Sequence, residues 1–226
     1  MCCLAHRRQG DCPVAILSSG VSASGFQCIF GGITVTAYTF HYDSPLGGIT
    51  LASDGTAITG LWFDGQKYFA CTLPSQHIEK DLSVFRQAIN WLDMYFGGKE
   101  PDFTPPLSIK GTPFRKQVWD ILLTIPYGHT MTYGDIAAKI TVQTGSHMSA
   151  QAVGGAVGHN PISLIIPCHR VVGSHGSLTG YAGGIDKKAK LLALEQVDMS
   201  AFFCRGFADI FEKFLCIKFF FLCSKK

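Results

Sequence analysis

The sequence lacks several features that would place it in a common class. Its nine cysteines include no Cys-x-x-Cys pair, so the usual spacing of a zinc ribbon is absent. Their number is odd and they cluster near the two ends, which is not the pattern of a disulfide framework. No stretch reaches the ~20 uninterrupted apolar residues of a membrane span. We therefore expect a reduced globular protein, cytoplasmic or, in a eukaryote, nuclear.

The 226-residue chain can hold one large domain or two small ones, and 47% of its residues are hydrophobic, enough for a packed core. Its net charge of +3 is unevenly spread. Residues 36–103 carry four basic and eight acidic side chains, a net charge of −4, whereas residues 104–199 carry eight basic and five acidic ones, a net charge of +3. This asymmetry favours a nucleic-acid contact in the second half.

The first 103 residues divide into an extension and a small domain. Residues 1–35 begin with a short polar stretch and become rich in small residues, which predicts a poorly ordered extension without a secretory signal. Residues 36–103 predict an α+β domain whose aromatic side chains serve core packing. Its predicted elements are strands at 37–42, 49–52 and 58–63, turns at 43–48 and 53–55, and a helix at 81–96 that ends at Gly97 and Gly98.

Residues 104–199 predict a mostly helical domain, preceded by a proline-containing linker at 103–110. Two short helices separated by a polar turn at 141–147 form a plausible helix-turn-helix. Threonine, serine and aspartate stand where helices begin, and these residues cap helix N-termini. The predicted helices are 113–123 after Thr112, 133–140 after Thr132, one opened by Met148 or Ser149 that ends at 157, and 187–195 after Asp186.

Residues 166–170, IPCHR, place a cysteine, a histidine and an arginine side by side. A thiol is a weak nucleophile at neutral pH, because with a reference pKa near 8.5 only ~3% is thiolate at pH 7. A base and a cation beside the thiol increase its reactivity. A buried structural cysteine is the alternative for any single cysteine, but the neighbours of Cys168 favour a nucleophile.

The wider sequence resembles the O6-alkylguanine-DNA alkyltransferases, also called methylated-DNA–protein-cysteine methyltransferases. Residues 160–173, NPISLIIPCHRVVG, and residues 178–184, LTGYAGG, match the active-site signature of that family. The resemblance continues in order from residue 111 to residue 195. The further matching segments are GTPF at 111–114, VW at 118–119, IPYG at 125–128, TYGDIA at 132–137 and LLALE at 191–195.

This resemblance implies a ribonuclease-H-like first domain, a helix-turn-helix second domain and a function in DNA repair. The protein would flip O6-alkylguanine, and O4-alkylthymine as well, out of double-stranded DNA and move the alkyl group irreversibly to Cys168, once per molecule. His169 would act on the thiol through a water molecule while Glu195 orients its ring. Asn160 would brace the active-site loop, and Tyr133 would help to flip the nucleotide and donate to the base. The family needs no cofactor or catalytic metal, and we expect a monomer.

The matching recognition helix and the loop after residue 180 would contact DNA and the flipped base. Many relatives have an arginine at the position of Gln151, where it fills the gap left by the flipped base. Glutamine lacks that charge, which predicts weaker DNA binding. Val171 would line the base pocket or pack in the core, and Arg170 would bind backbone carbonyls or a carboxylate in a structural role. The residues assigned to DNA or base contacts are Ser149, Ala150, Gln151, Ala152, Gly154, Gly155, Val171, Tyr181, Ala182 and Gly183.

Residues 200–226 depart from the family pattern, because relatives usually end soon after a segment like 197–200. Helical spacing of apolar residues indicates an amphipathic membrane or partner helix, or else a tail produced by a frameshift or gene-model error. The spaced residues are Phe207, Ile210, Phe211 and Phe214.

Two other functions are compatible with parts of the sequence. A non-catalytic sensor of alkylated DNA would share the fold, but such relatives lack the cysteine that is present here. A cysteine hydrolase would use Cys168 with His169, although adjacent residues form such a dyad poorly and acyl transfer needs an oxyanion hole.

Overall fold

The computed structural model describes residues 37–203 and the backbone of residues 29–30 and 33–34. The chain divides into two units, residues 1–34 and residues 35–226. In the first, β1 (Ile29–Phe30) pairs antiparallel with β2 (Ile33–Thr34). The remainder of the predicted extension and the apolar pattern after residue 203 lie outside the described residues.

A four-stranded sheet with the order β5-β4-β3-β6 opens the second unit. β3 (Tyr38–Ser44), β4 (Gly47–Ser53) and β5 (Ile58–Phe63) are antiparallel neighbours and confirm the three predicted strands. β6 (Ile78–Glu79) runs parallel to β3. The sequence does not predict β6, because two exposed residues are too few to show alternation.

The hairpin between β3 and β4 is tighter than the predicted turn at 43–48. Ser44 pairs directly with Gly47, which leaves a two-residue loop. The Ser44 hydroxyl donates to the carbonyl oxygen of Gly47 at 2.5 Å. Gly47 has a φ of 109°, a conformation that glycine adopts without the strain of a Cβ. The prediction therefore placed the turn correctly but made it too long.

Helix α1 (Ser83–Phe96) packs its apolar face on this sheet. Phe85, Leu92 and Phe96 of this face are buried, and the rings of Phe85 and Phe40 lie 6.0 Å apart. The helix ends where predicted, since Gly97 N–H donates to the carbonyl of Asp93 at 2.9 Å. Sheet and helix together form the first layer of the core.

The second half is mostly helical, which together with the first half confirms the predicted α+β class. Three predicted caps are present: Thr112, Thr132 and Ser149 each accept a backbone N–H with their hydroxyl oxygen. The elements are α2 (Pro113–Leu123), β7 (Met131–Thr132), α3 (Tyr133–Thr144), α4 (Ala150–Gly158), β8 (Val171–Val172) and α5 (Ile185–Leu194), with 3-10 turns at Cys168–Arg170, Ser174–Gly176 and Met199–Ala201.

Two details of the helical half differ from the sequence predictions. The polar turn predicted from residue 141 is wrong up to Thr144, because α3 continues and the hydroxyls of Thr141 and Thr144 each donate to the carbonyl four residues earlier at 2.9 Å. Gly145, with a φ of 70°, ends the helix. Asp186 does not cap α5, since the N-cap position is Gly184 and Asp186 lies in the first turn.

The free edge of β5 is covered by two segments of the second half. Leu61 N–H donates to Pro161 and Ser163 N–H donates to the Leu61 carbonyl, both at 2.9 Å. The predicted linker runs along the same strand, with Ile58 N–H donating to Pro106 at 2.8 Å. These bonds pair backbone N–H and C=O groups at a strand edge that would otherwise be open. The buried side chains of the two halves also belong to one hydrophobic core.

The start of the predicted tail belongs to the described fold. Phe203 N–H donates to Gly176 at 3.0 Å, and Leu178 N–H donates to Phe203 at 2.9 Å. Within the part of the chain that the structure describes, every helix falls short of the length and hydrophobicity needed to cross a bilayer.

Gly60 provides a stability test of the sheet. A Cβ at this position would collide with the buried ring of Trp62. We expect Gly60→Ala to lower the free energy of unfolding by about 1–3 kcal/mol, because an overpacked core cannot relax freely. Gly155→Ala is the matched control: it meets nothing within 4 Å, and in a helix it should stabilise by about 0.5–1 kcal/mol. Urea denaturation measures both, and equal effects would contradict the prediction.

Candidate active site

Cys168 opens a 3-10 turn at the end of a tightly folded loop, and only 3% of its surface is exposed. The loop folds back on itself: Ile166 N–H donates to Ile162 at 3.1 Å and Cys168 N–H donates to Ile166 at 2.8 Å. Leu164, with a φ of 68°, makes the reversal between them. The thiol is thus held by backbone bonds inside the core.

Asn160 joins the two ends of this loop. Its buried amide nitrogen donates to the carbonyls of Ile166 at 2.8 Å and Ile162 at 3.2 Å, and its oxygen accepts Ile162 N–H at 3.0 Å. The same side chain lowers the pKa of the Cys168 thiol against the effect of burial. The position is the one expected for a bracing residue.

His169 and Glu195 form a buried pair, with Nε2 of the imidazole 2.6 Å from Oε1 of the carboxylate. Arg170 donates to both carboxylate oxygens, at 2.8 and 3.1 Å, and to the carbonyl of Ile125 at 2.6 Å. Gly128 N–H adds a bond to Oε2 at 3.2 Å. Arg170 therefore contacts both kinds of group that the sequence predicts, a backbone carbonyl and a carboxylate.

These contacts determine the charge states of the pair. Burial alone would raise the pKa of Glu195, but His169 and Arg170 outweigh it and lower that pKa to about 2. Burial lowers the pKa of His169, as do the charges of Arg170 and Lys188, against the opposing effect of Glu195. At neutral pH the imidazole is neutral and the carboxylate, which can only accept, fixes the proton on Nε2.

The other nitrogen of His169 is consequently a base. Nδ1 is buried and has no hydrogen-bond partner among the described residues. Burial raises the pKa of the neighbouring Cys168 thiol, while Asn160, the charge of Lys188 and the backbone N–H groups of Cys168 and His169 act in the opposite direction. Because burial keeps the thiol protonated, a nearby acceptor for its proton is needed to form the thiolate.

Two buried polar residues of the site escape the sequence analysis. Lys188 donates to the carbonyl of Val171 and to that of Thr179, the latter at 2.7 Å. In the sequence it lies in a lysine-rich stretch that resembles a solvent-exposed helix face. Lys188 precedes the buried Leu191 and Leu192 by three and four residues, a spacing that places it on the same buried face of the helix. Tyr95 of α1 donates to Glu195 at 2.8 Å, although the first domain shows no chemistry in the sequence. A tyrosine on the buried face of a helix needs a hydrogen-bond partner for its hydroxyl, and this requirement could have indicated that Tyr95 meets a polar group.

Tyr133 and the loop after residue 178 lie together beside the thiol. The Tyr133 hydroxyl donates to the carbonyl of Gly180 at 3.1 Å, and a Cβ on Gly180 would lie 2.6 Å from that hydroxyl. Burial and the nearby Cys168 raise the pKa of Tyr133 to about 12, so the hydroxyl stays a donor. Tyr181 is buried, its hydroxyl has no partner among the described residues, and its ring packs closely on Gly183.

The residues assigned to DNA or base contact fall into an exposed group on α4 and a buried or partly buried group around the loop after residue 180. Ser149, Ala150, Gln151, Ala152 and Gly155 are exposed on α4 or at its cap. Gly154 faces the Tyr133 ring, and Ala182, partly buried, accepts Lys67 N–H at 3.0 Å. Val171 is fully buried and pairs with Met131, so it packs in the core. In the described part of the chain, no cluster of side chains could hold a metal ion.

The low pKa of Glu195 predicts how stability depends on pH. A carboxyl that ionises at about 2 instead of 4.5 contributes stability above pH 4.5, which is lost as the pH falls toward 2. At ~1.4 kcal/mol per unit the contribution is about 3 kcal/mol. We expect the unfolding free energy of Glu195→Gln to fall less steeply with acid than that of the wild type. The exposed Glu79→Gln is the control, and parallel curves for all three proteins would contradict the prediction.

Comparison with known proteins agrees with this site. The family model of the 6-O-methylguanine DNA methyltransferase DNA-binding domain matches residues 113–197, and the model of the ribonuclease-like domain of the same family matches residues 37–109. The methylated-DNA–protein-cysteine methyltransferase of Mycobacterium bovis is 47% identical over 160 residues, covering 69% of this chain and 92% of that protein. The Haemophilus influenzae enzyme is 40% identical over 166 residues, covering 73% and 89%.

Solved structures are similar as well. Mycobacterium tuberculosis OGT in complex with DNA has a TM-score of 0.63 and 44% identity, covering 70% of this chain and 93% of that chain. The O6-methylguanine methyltransferase of the same organism has a TM-score of 0.62 and 42% identity, covering 77% and 97%. The two family models together span more than half of the chain. The buried Cys168 loop lies within the match to the DNA-binding domain. The chain therefore belongs to the methylated-DNA–protein-cysteine methyltransferase family and is a DNA-repair alkyltransferase.

Proposed function

We propose that the protein flips O6-alkylguanine, and O4-alkylthymine as well, out of double-stranded DNA and transfers the alkyl group irreversibly to its own Cys168. Each molecule acts once, because the thioether formed is stable. We further propose that it works as a monomer in the cytoplasm, or in the nucleus of a eukaryote, without a cofactor.

The observation that carries this proposal is the buried relay beside the thiol. Glu195 holds Nε2 of His169 at 2.6 Å, which leaves Nδ1 as a buried base beside Cys168, without a hydrogen-bond partner in the described part of the chain. A water molecule between Nδ1 and the thiol would complete an orienter, a base and a nucleophile in sequence. This arrangement supports transfer to Cys168 over recognition alone.

The transfer step balances within these groups. The thiol proton moves through the water to Nδ1 of His169. Sγ then attacks the alkyl carbon from the side opposite its carbon–oxygen bond to the base. The sulfur–carbon bond forms as the carbon–oxygen bond breaks, and the bonding pair remains on the base. The Tyr133 hydroxyl, protonated because its pKa is about 12, donates a hydrogen bond to the leaving base. The base anion then takes up one proton and His169 loses the one it accepted, so the net products are the thioether, neutral guanine and neutral His169.

Burial of Cys168 makes base flipping necessary. An alkyl group on a stacked base cannot reach a thiol that is 3% exposed, so the nucleotide has to leave the duplex. The loop beside Tyr133 is suited to receive it, since Gly180 and Gly183 pack where side chains would collide with Tyr133 and Tyr181. The hydroxyl of Tyr181, which has no hydrogen-bond partner within residues 37–203, adds a polar group at this position.

The exposed start of α4 supports binding of the duplex. Its alanines and glycines allow a close approach to DNA, and Gln151 is exposed among them, where it can fill the gap left by the flipped base. The similar Mycobacterium tuberculosis OGT was solved in complex with DNA, which also supports a DNA partner.

Methyl transfer can be tested by mass. After incubation with duplex DNA containing one O6-methylguanine, we expect intact mass and peptide mapping to find one methyl group on Cys168 and stoichiometric loss of the lesion. Cys168→Ser should bind the duplex without transfer, because a hydroxyl is a much weaker nucleophile. Cys71→Ser, at an exposed cysteine, should react like the wild type. Folded wild-type protein that binds the duplex but stays unmodified would indicate a sensor instead.

Gln151 determines how tightly the duplex is held. We expect Gln151→Arg to tighten binding and to steepen the dependence of log affinity on log salt concentration by about one, because one more cation releases about one more counterion. Fluorescence anisotropy at several salt concentrations measures both quantities. Gln143→Arg, exposed near the end of α3, is the control for added charge, and equal slopes for the two variants would contradict the assignment.

A further inference from the structure

Tyr95 brings the ribonuclease-like half of the chain into the active site. Its ring is fully buried on α1, stacked on Trp91 at 5.3 Å and edge-on to His169 at 6.2 Å. Its hydroxyl lies 2.8 Å from Oε1 of Glu195 and 3.2 Å from Nε2 of His169. Tyr95 thus touches both members of the relay from a different half of the chain.

The direction of these bonds follows from the charges. Burial and the nearby Glu195 raise the pKa of Tyr95 well above 10, so the hydroxyl keeps its proton. Glu195 is ionised and can only accept, so Tyr95 donates to it. Oε1 then accepts from three groups, Tyr95, His169 and Arg170. A carboxylate oxygen with three donors has little freedom to rotate away from the imidazole.

We propose that Tyr95 is a positioning residue for alkyl transfer: its hydroxyl holds the Glu195 carboxylate against His169 and so fixes the imidazole form whose Nδ1 accepts the Cys168 proton. The inference rests on the proposed function, since it assigns Tyr95 a part in the same relay. Tyr95 acts through Glu195 and His169 and does not touch the substrate.

The hydroxyl also limits how strongly Glu195 attracts a proton onto His169. The hydrogen bond that Tyr95 donates partly neutralises the carboxylate charge. Without this bond, the full charge acts on the imidazole in an interior of low dielectric constant. The pKa of His169 then rises, and Nδ1 is protonated over more of the acidic range. The groups that face His169 all remain in place when the hydroxyl is lost: Glu195, Arg170, Lys188, Tyr181 and Cys168.

Tyr95→Phe removes the hydroxyl and keeps the ring. In single-turnover assays with duplex containing O6-methylguanine, we expect the transfer rate at saturating DNA to fall about tenfold, a part of the usual contribution of a general base. The dissociation constant for the duplex should not change. The acid limb of the pH–rate profile should move to higher pH, an effect that loss of packing alone does not produce.

Tyr42→Phe is the matched control. The Tyr42 hydroxyl also donates to a carboxylate, that of Asp93 on the same helix α1, at 2.8 Å, but lies away from the relay. Its rate and pH profile should equal those of the wild type. Melting temperatures of both variants report the cost to folding separately from the kinetics.

3-Fluorotyrosine in place of Tyr95 tests the same bond in a protein that keeps the hydroxyl. Its more acidic hydroxyl is a stronger donor, so the acid limb should move to lower pH, opposite to Tyr95→Phe. A double-mutant cycle with Glu195→Gln should be non-additive, because both changes act on one bond.

The outcomes separate this inference from the proposed function. Wild-type protein that fails to methylate Cys168 overturns the proposed function. Wild-type protein that transfers normally, with an unchanged rate and acid limb in Tyr95→Phe or strictly additive effects in the cycle, overturns only the role of Tyr95.

Discussion

The buried carboxylate of Glu195 is the constraint on which the rest of the site depends. An ionised group in the core is tolerated only when it is paired and fully hydrogen-bonded, and here Arg170, His169, Tyr95 and the backbone N–H of Gly128 share that task. These donors come from α1, from the turn before α3 and from the thiol-bearing turn. One negative charge therefore fixes the relative positions of several elements and, by accepting from Nε2, the tautomer of the imidazole of His169.

The sheet contributes to the same site from its edge. Among the described strands, β5 has a neighbour on one side alone, and on the other side its backbone groups bond to the loop that carries the thiol and to the segment before α2. Gln66 strengthens this connection, because its side-chain oxygen accepts both Phe63 N–H and the hydroxyl of Ser163. The loop that ends at Cys168 is thus supported on one side by Asn160 and on the other by a β-strand, which explains how it stays ordered while making a reversal at Leu164.

Local features of this fold could be predicted from the sequence, and distant contacts could not. β5 and α2 have their predicted bounds, and three helix caps are the predicted ones, because both depend on neighbours a few residues away. The resemblance placed Cys168, His169, Asn160 and Glu195. Tyr95 lies 74 residues from His169 and 100 from Glu195, so only the folded chain shows their contact. Thr141 and Thr144 look like turn residues, and their bonds to helix carbonyls became evident only in three dimensions.

The bonds along β5 have a consequence for modularity. The DNA-binding half contains Cys168, His169 and helix α4, and its sequence resembles a domain that could be moved between proteins by itself. Separated from the first half, it would leave the carbonyl of Pro161 and the N–H of Ser163 without their strand partners and Glu195 without Tyr95. A gene fusion or domain exchange that preserves these contacts has to include both halves of the chain.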